Sequence, residues 1–430
     1  MTPATSSQLL LYGPDVMARI DMLARFSSEP GKLTRLYLTP EHKAAALQVK
    51  EWMEQAGMVA RLDAIGNVVG RYEGERSGLP ALILGSHIDT VLDAGKYDGI
   101  LGVVAAIACV ETLHQAGERL PFAIEVIGFG DEEGVRFPTS MSGSRAVAGS
   151  FDPASLERRD ADGISLAEAL HRFGLDPSGI GAVARRPDQV LGYVELHIEQ
   201  GPVLDAEGCP VGVVTSIAGA SRFAVEVTGV AGHAGTVPMS LRHDALAAAA
   251  EAVLAVERRC RSESAELVGT VGQVNVLPGA ANVIPGWARF PVDIRAADDR
   301  VRRVARDDIV QAIKAVGARR GVRIHIVEAR EVPACACAPE LMDQLQAAAA
   351  AQGVTVRRLP SGAMHDAMQL ARLTDAAMLF VRCKAGVSHN PAEAISVEDA
   401  DLGVRILLSF IRRFRPGTRF SSALPGRSSE

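Results

Sequence analysis

The sequence predicts a two-domain α/β protein, in which a domain built on a central, mostly parallel sheet is split by an inserted, smaller α+β domain. Three observations predict it. The 430 residues exceed what one hydrophobic core usually supports. Short apolar runs alternate with helical patterns from Val59 to Gly201, and again from Leu341 to Phe414. Between them the order becomes strand, helix, two strands, helix, strand, the βαββαβ arrangement of ferredoxin-like domains. The resulting boundaries are 1–215 for the first part of the outer domain, 216–330 for the insert and 331–415 for the second part. Residues 416–430 form a Ser-, Pro- and Arg-containing tail expected to be disordered.

Taken in order, Asp15 to Phe26 has helical apolar spacing, and Thr39-Pro40-Glu41 opens a second helix with a cap, a first-turn Pro and an acid. Val59 to Asp63 and Val68 to Tyr72 read as strands around the turn Ile65-Gly66-Asn67. Ala81 to Leu84 is a buried-strand run leading into Gly85-Ser86-His87-Ile88-Asp89-Thr90 and Tyr97-Asp98-Gly99. Ile100 to Leu113 then forms an apolar helix that suits burial on most sides. Phe122 to Gly128 is a further strand ending at Asp131-Glu132-Glu133-Gly134, and Ser142 to Phe173 reads as short helices and turns. Tyr193 to Gly201 alternates as a strand and carries His197 and Gln200. In the insert, Phe223 to Val230, Leu267 to Val276, Trp287 to Ile294 and Val322 to Val327 are strands, with helices over Asp244 to Cys260 and Arg300 to Arg320. The outer domain resumes with a helix over Leu341 to Gln352, strands over Val354 to Leu359 and Ala376 to Val381, and a helix over Val397 to Phe414.

Composition narrows the function class. With 48% hydrophobic and 22% charged residues the chain is a globular core-former. A net charge of -6 without a long Lys or Arg block argues against nucleic acid or an anionic membrane as the main partner and favours small solutes. The six cysteines are scattered, and Cys335 and Cys337, the closest pair, read as small loop or core residues, as in a reducing compartment. No basic segment followed by a long apolar run opens the chain, so the expectation is a cytoplasmic protein.

Strand ends of an open α/β sheet are where its chemistry gathers. His87, Asp98, Glu132, Glu133, His197 and His389 all fall at such ends or in Gly-flanked loops. Singly each has a plain reading: His87 as a structural histidine, Asp98 as a cap, Glu132-Glu133 as a solvated turn, His389 as a loop residue. Together they supply nitrogen and oxygen donors for divalent metal, with Asp89 placed to orient the His87 ring. Two ions about 3.5–4 Å apart need a bridging carboxylate and two further ligands each, and this set leaves one Glu over as a base.

His87-Ile88-Asp89-Thr90, Tyr97-Asp98-Gly99, Asp131-Glu132-Glu133-Gly134-Val135-Arg136-Phe137, His197-Ile198-Glu199-Gln200-Gly201, Gly232-His233-Ala234-Gly235, Asn282-Val283-Ile284-Pro285-Gly286, Asp293-Ile294-Arg295 and Ser388-His389-Asn390-Pro391 resemble the hydantoinase/carbamoylase amidases. This is the branch of the dinuclear M20-type metallohydrolases that includes N-carbamoyl-L-amino acid hydrolases, β-ureidopropionases and allantoate amidohydrolases. The resemblance spans nearly the whole chain. It implies an M20-type catalytic domain with a lid and dimerisation insert, and two divalent ions per subunit, Zn, Mn, Co or Ni. One ion would be held by His87, Asp98 and His197, the other by Asp98, Glu133 and His389. Glu132 falls on the general base, and His233 on the group that reaches the partner subunit's site. Arg295 would take a substrate carboxylate, its plainer reading being an ion pair with Asp293 or Asp298. Gln200 and Asn282 would bind amide or ureido groups, and His365 would line the site or serve a helix start. Met364 departs from the branch, which commonly has Gly there.

The implied activity is hydrolysis of a ureido C–N bond in a small carboxylate substrate, an N-carbamoyl-L-amino acid or allantoate, by a homodimer. An M20 aminoacylase or dipeptidase is the competing enzyme, disfavoured by His197, where M20 peptidases usually carry a carboxylate. A catalytically inactive metal-binding homologue is the competing non-enzyme, disfavoured because every expected ligand and base position is filled.

Overall fold

The computed structural model describes residues 11–262 and 267–417. Residues 418–430, most of the tail expected to be disordered, lie outside the described residues. The chain divides into two compact units, one of residues 1–215, 337–359 and 364–430, the other of residues 216–336 and 360–363.

The first unit opens with α1 (Gly13–Leu23) and α2 (Pro40–Gln55). The backbone N–H of His42 donates to Thr39 Oγ1, and Pro40 sits in the first turn, where its missing N–H costs nothing. Then come β1 (Val59–Leu62), β2 (Val68–Tyr72), β3 (Ala81–His87), α3 (Ile100–Gln115), β4 (Ala123–Phe129), α4 (Ser142–Val147), α5 (Leu166–Phe173), β5 (Val190–Ile198), α6 (Val203–Ala206) and β6 (Val211–Ile217). Every residue of β3, β4 and β5 is buried, as expected of central strands covered on both faces. No strand is foreseen over Val211–Ile217 in the sequence, because Val211-Gly212-Val213-Val214 is short, holds a glycine and follows Cys209-Pro210. Its partner settles it: β6 lies antiparallel to a strand more than 160 residues away, pairing Val211 with Val381 and Val213 with Leu379.

The second unit comprises β7 (Gly219–Thr228), β8 (Gly232–His233), α7 (Ala245–Arg261), β9 (Leu267–Thr270), β10 (Asn275–Leu277), β11 (Val283–Ile284), β12 (Trp287–Ala296), α8 (Asp299–Arg320), β13 (Arg323–Val332) and β14 (Cys335–Ala336). Its main sheet runs β10-β12-β7-β13, with β9 also on β12, and the pairings are antiparallel. With β9 and β10 standing for one strand, this is the order in which a βαββαβ chain places its first and third strands in the middle. The single strand foreseen over Leu267 to Val276 is two, interrupted at 271–274. Phe290, Val292, Ile294, Ala249, Ala252, Ile309 and Ile313 form the core under α7 and α8.

The chain then forms α9 (Pro339–Ala350), β15 (Arg357–Ser361), α10 (Ala367–Leu370), β16 (Ala376–Val381) and α11 (Val397–Arg413). The large sheet is ordered β1-β2-β4-β3-β5-β16-β6. Its centre, β4-β3-β5-β16, is parallel, and antiparallel strands flank it. The carboxyl ends of β3, β4, β5 and β16 therefore open on the same side. Among the described residues no helix is long and apolar enough to cross a membrane.

Candidate metal centre

Three strand ends and two loops of the first unit supply the site. His87 closes β3 and is registered with Phe129, three residues ahead of Glu132. His197 sits at the end of β5 beside Phe380 of β16. Asp98 comes from the loop entering α3, and His389 from the loop between β16 and α11. Gly99 allows the approach: its φ is +69°, and a Cβ there would stand 2.6 Å from the His87 ring.

The imidazoles converge on one carboxylate. Asp98 Oδ1 lies 3.5 Å from His87 Nε2 and 3.2 Å from His197 Nε2, and Asp98 Oδ2 lies 3.1 Å from His389 Nε2. Glu133 Oε1 is 3.5 Å from His389 Nε2. Candidate donor atoms of His87, Asp98 and His197 thus form one group, and those of Asp98, Glu133 and His389 another, sharing Asp98.

The tautomers test whether a cation fits. His87 Nδ1 faces the main-chain carbonyl of Asp89 at 3.0 Å, and His197 Nδ1 faces that of Ile198 at 2.8 Å. A carbonyl can only accept, so both Nδ1 atoms carry a proton, and a ring that gives up its second proton to a cation presents an Nε2 lone pair towards Asp98. The Gly99 N–H donates to His197 Nε2 at 3.3 Å, consistent with that assignment. Two lone pairs then face Asp98 Oδ1, a buried oxygen with no hydrogen-bond partner among the described residues. Such an arrangement is repulsive without positive charge among the three atoms, and the nitrogen and oxygen donors suit a divalent ion.

The electrostatics point the same way. Burial first, then Asp98, pushes Glu133 up to about 7. Burial, reinforced by Glu133, Asp366 and Asp89 against the opposing pull of His87, holds Glu132 well above the glutamate range. Burial would depress His87, yet Asp98, Glu132 and Asp89 hold it well above the ordinary histidine value. Asp98 is the exception: although burial opposes it, hydrogen bonds with His197, His389 and His87 hold it well below the usual carboxylate range, so the charge of this pocket is concentrated on the carboxylate that the imidazoles surround. Glu132 is buried, and its carboxylate groups with His87 and Glu133.

Asp89 differs from its expected part. Its carboxylate is 4.0 Å from His87 Nδ1, and the main-chain carbonyl meets the ring instead. The carboxylate accepts the N–H groups of Glu132 at 3.2 Å and Glu133 at 3.3 Å, because the turn after β4 points those donors inward. Asp89 therefore orients the two glutamates more than the histidine. Gln200 donates through Nε2 to Asp98 Oδ2 at 2.8 Å and to Ser388 Oγ at 3.2 Å. His365 is buried edge-on against His197, their ring centroids 4.6 Å apart, and groups with His197 and Glu195.

The other candidates belong to the second unit. His233 and Asn282 are exposed and adjacent: β8 pairs His233 with Val283, and the Ala234 N–H donates to the Asn282 carbonyl at 3.0 Å. Arg295 is half-buried. It donates to Asp293 from Nε and Nη2, at 3.0 and 3.2 Å, and to the Gly362 carbonyl at 2.9 Å. Arg222 and Arg330 join it around a cavity of about 750 Å³.

Sequence reasoning missed two buried acids. Glu195 accepts from Ser86 Oγ at 2.7 Å and Tyr193 at 3.1 Å; its place two residues before His197, on the same face of β5, was a usable signal. Glu393 accepts the N–H groups of Tyr97 and Asp98, and no local pattern marks it.

A model of peptidase family M20/M25/M40 matches residues 83–413. The chain is 40% identical over 409 residues to an N-carbamoyl-L-amino acid amidohydrolase of Geobacillus stearothermophilus, covering 95% of this chain and 100% of that protein. It is 40% identical over 427 residues to allantoate deiminase 1 of Glycine max, covering 92% of this chain and 88% of that one. The crystal structure of a hydantoinase/carbamoylase family amidase from Burkholderia multivorans superposes with a TM-score of 0.87 at 33% identity, covering 93% of this chain and 97% of that one.

Proposed function

The chain belongs to peptidase family M20/M25/M40, in its hydantoinase/carbamoylase branch, and from that membership we propose that it is a metal-dependent amidohydrolase that cleaves a ureido C–N bond in a small carboxylate substrate. Its relatives named for N-carbamoyl-L-amino acids and for allantoate define the class: a terminal ureido group and a carboxylate on one small molecule.

One observation carries the reading. Asp98 is shared by two donor groups, with the Nε2 atoms of His87, His197 and His389 turned towards it. His87, Asp98 and His197 would hold one divalent ion, and Asp98, Glu133 and His389 a second. Bound there, divalent ions supply a water of lowered pKa and polarise the substrate carbonyl. Glu132, buried and raised in proton affinity, takes the proton of the attacking water and returns it to the departing nitrogen. Asp89 holds Glu132 and Glu133 in place through their N–H groups. Arg295, its plane fixed by Asp293, accepts the substrate carboxylate, and Gln200 and Asn282 hold the ureido group. His365 packs against His197 and lines the pocket. The insert acts as a lid and joins two subunits, with His233 serving the partner's site as an oxyanion donor.

The test is a parallel assay, with Mn and then Zn, Co or Ni added, on allantoate, N-carbamoyl-β-alanine, N-carbamoyl-L-amino acids, N-acetyl amino acids and dipeptides. Turnover is expected on ureides. Hydrolysis of only the N-acetyl and dipeptide substrates would reject the reading, as would stoichiometric metal binding without turnover of any ureide.

A further inference from the structure

Glu393 is 4% exposed although Pro391 and Ala392 before it are exposed. Its Oε1 accepts the N–H of Tyr97 at 2.9 Å and of Asp98 at 3.1 Å. Its Oε2 accepts from Ser388 Oγ at 2.9 Å. Ser388 lies 3.4 Å from Asp98 Oδ2 and receives the Gln200 amide at 3.2 Å. One buried carboxylate thus ties the loop that carries Asp98 to the loop that carries His389. The chain leaves room for it: a Cβ on Gly95 would fall 2.3 Å from Glu393 Cδ and 2.4 Å from its Cβ.

His87 and His197 do not need such a tie, because each ends a fully buried strand and bonds a main-chain carbonyl. Asp98 and His389 have no strand under them. His389 is exposed and sits at φ +53°, a conformation unfavourable for a side-chain-bearing residue. Something must hold that loop in register with Asp98. We propose that Glu393 is a positioning residue that locks the loops of Asp98 and His389 together, so that the cation on the His389 side of Asp98 is bound tightly only while Glu393 bridges them. The inference rests on the metal-centre reading and adds to it an asymmetry: one cation is held by strands, the other by a carboxylate strut.

The test uses the full chain stripped of metal by chelation and titrated with Mn2+, read by calorimetry and by the electron paramagnetic resonance signal of a coupled ion pair. Wild type is expected to take two ions. Glu393→Ala should weaken the second ion about 10–100-fold, the usual scale for losing a ligand's hydrogen-bonded support, weaken the first several-fold less, and lose the coupled signal at ion levels that saturate wild type. Glu393→Gln keeps a carbonyl oxygen for the two N–H groups, so it should fall between. Gly95→Ala, which displaces the Glu393 side chain without altering its charge, should reproduce the Glu393→Ala pattern. Both ions bound as in wild type, or both weakened equally, would overturn the role of Glu393 while leaving the centre standing. Wild type that takes up no ion would overturn the centre, and the positioning role with it. Where Glu393→Ala fails to fold, Glu393→Gln decides on the same criterion.

Discussion

Two neighbouring glutamates are proposed to take different parts because only one of them also groups with Asp98 and His389. Glu133 comes within 3.5 Å of His389 Nε2 and shares a donor group with Asp98, so its oxygen is placed to ligate. Glu132 groups with His87 but not with Asp98 and His389, and its burial raises its proton affinity, which suits it to act as a base. Both depend on Asp89, which takes the N–H of each. Replacing Glu132 by Gln keeps the shape and removes the ability to take a proton. The expected outcome is a fall in kcat of about 10²–10⁴-fold, with both ions still bound at wild-type stoichiometry by elemental analysis. Turnover near the wild-type rate would take Glu132 out of the mechanism, and loss of an ion would make it a ligand.

At the scale of elements, legibility in the sequence follows how local each cause is. β16 is readable as Ala376 to Val381 because an apolar run bounded by polar residues has few other homes, and α7 and α8 because Asp244 and Asp298 cap them in full view. His87 and Asp98 stand out because a strand end and a glycine turn flank them. β6 is illegible because its pairing partner is supplied from far along the chain, and Glu393 because its burial depends on the space at Gly95. The docking of α2 shows the same dependence. His42 reads as an ordinary helix residue, yet it is fully buried between the rings of Tyr37 and Phe173, 5.6 and 5.5 Å away, and neither ring nitrogen finds a hydrogen-bond partner among the described residues. Burial first, then Arg35 and Arg136, lowers it to about 3. An unfolded histidine titrates near 6.5, so between those values the unfolded chain binds the extra proton. The neutral ring therefore contributes stability above pH 6.5 that is lost as the pH falls towards 3, about 3 kcal/mol of it by pH 4.5. His42→Phe should remove that slope. Urea unfolding followed by Trp52 on α2, in a Trp287→Phe background, should show the gap between wild type and variant shifting against wild type from pH 7 to pH 4.5. Parallel pH profiles would show that His42 is not the acid-sensitive group.

The proposed substrate-binding residues are drawn from both units of the chain, Gln200 and His365 from the first. His233, Asn282 and Arg295 belong to the second unit, the metal donors to the first. The His233 ring accepts the Gly235 N–H at Nδ1, 3.0 Å away, so its proton sits on Nε2, the atom suited to meet a developing oxyanion. The second unit also leaves Val230, Met239, Leu241 and Leu277 each more than half exposed, apolar surface of the kind that an interface between copies would cover. If His233 serves the partner's site, each active site takes Glu132 from one chain and His233 from the other. His233→Ala and Glu132→Gln are then each defective as homodimers. A mixed dimer, however, pairs the intact Glu132 of the first variant with the intact His233 of the second and restores one of its two sites. Random exchange at equal concentration makes half the dimers mixed, so about a quarter of wild-type turnover should return. Were His233 to act within its own chain, every site in the mixed dimer would lack one of the two groups, and mixing would restore nothing. Turnover measured across a titration of one variant into the other distinguishes these outcomes, since recovery must peak at equal amounts and vanish at either end.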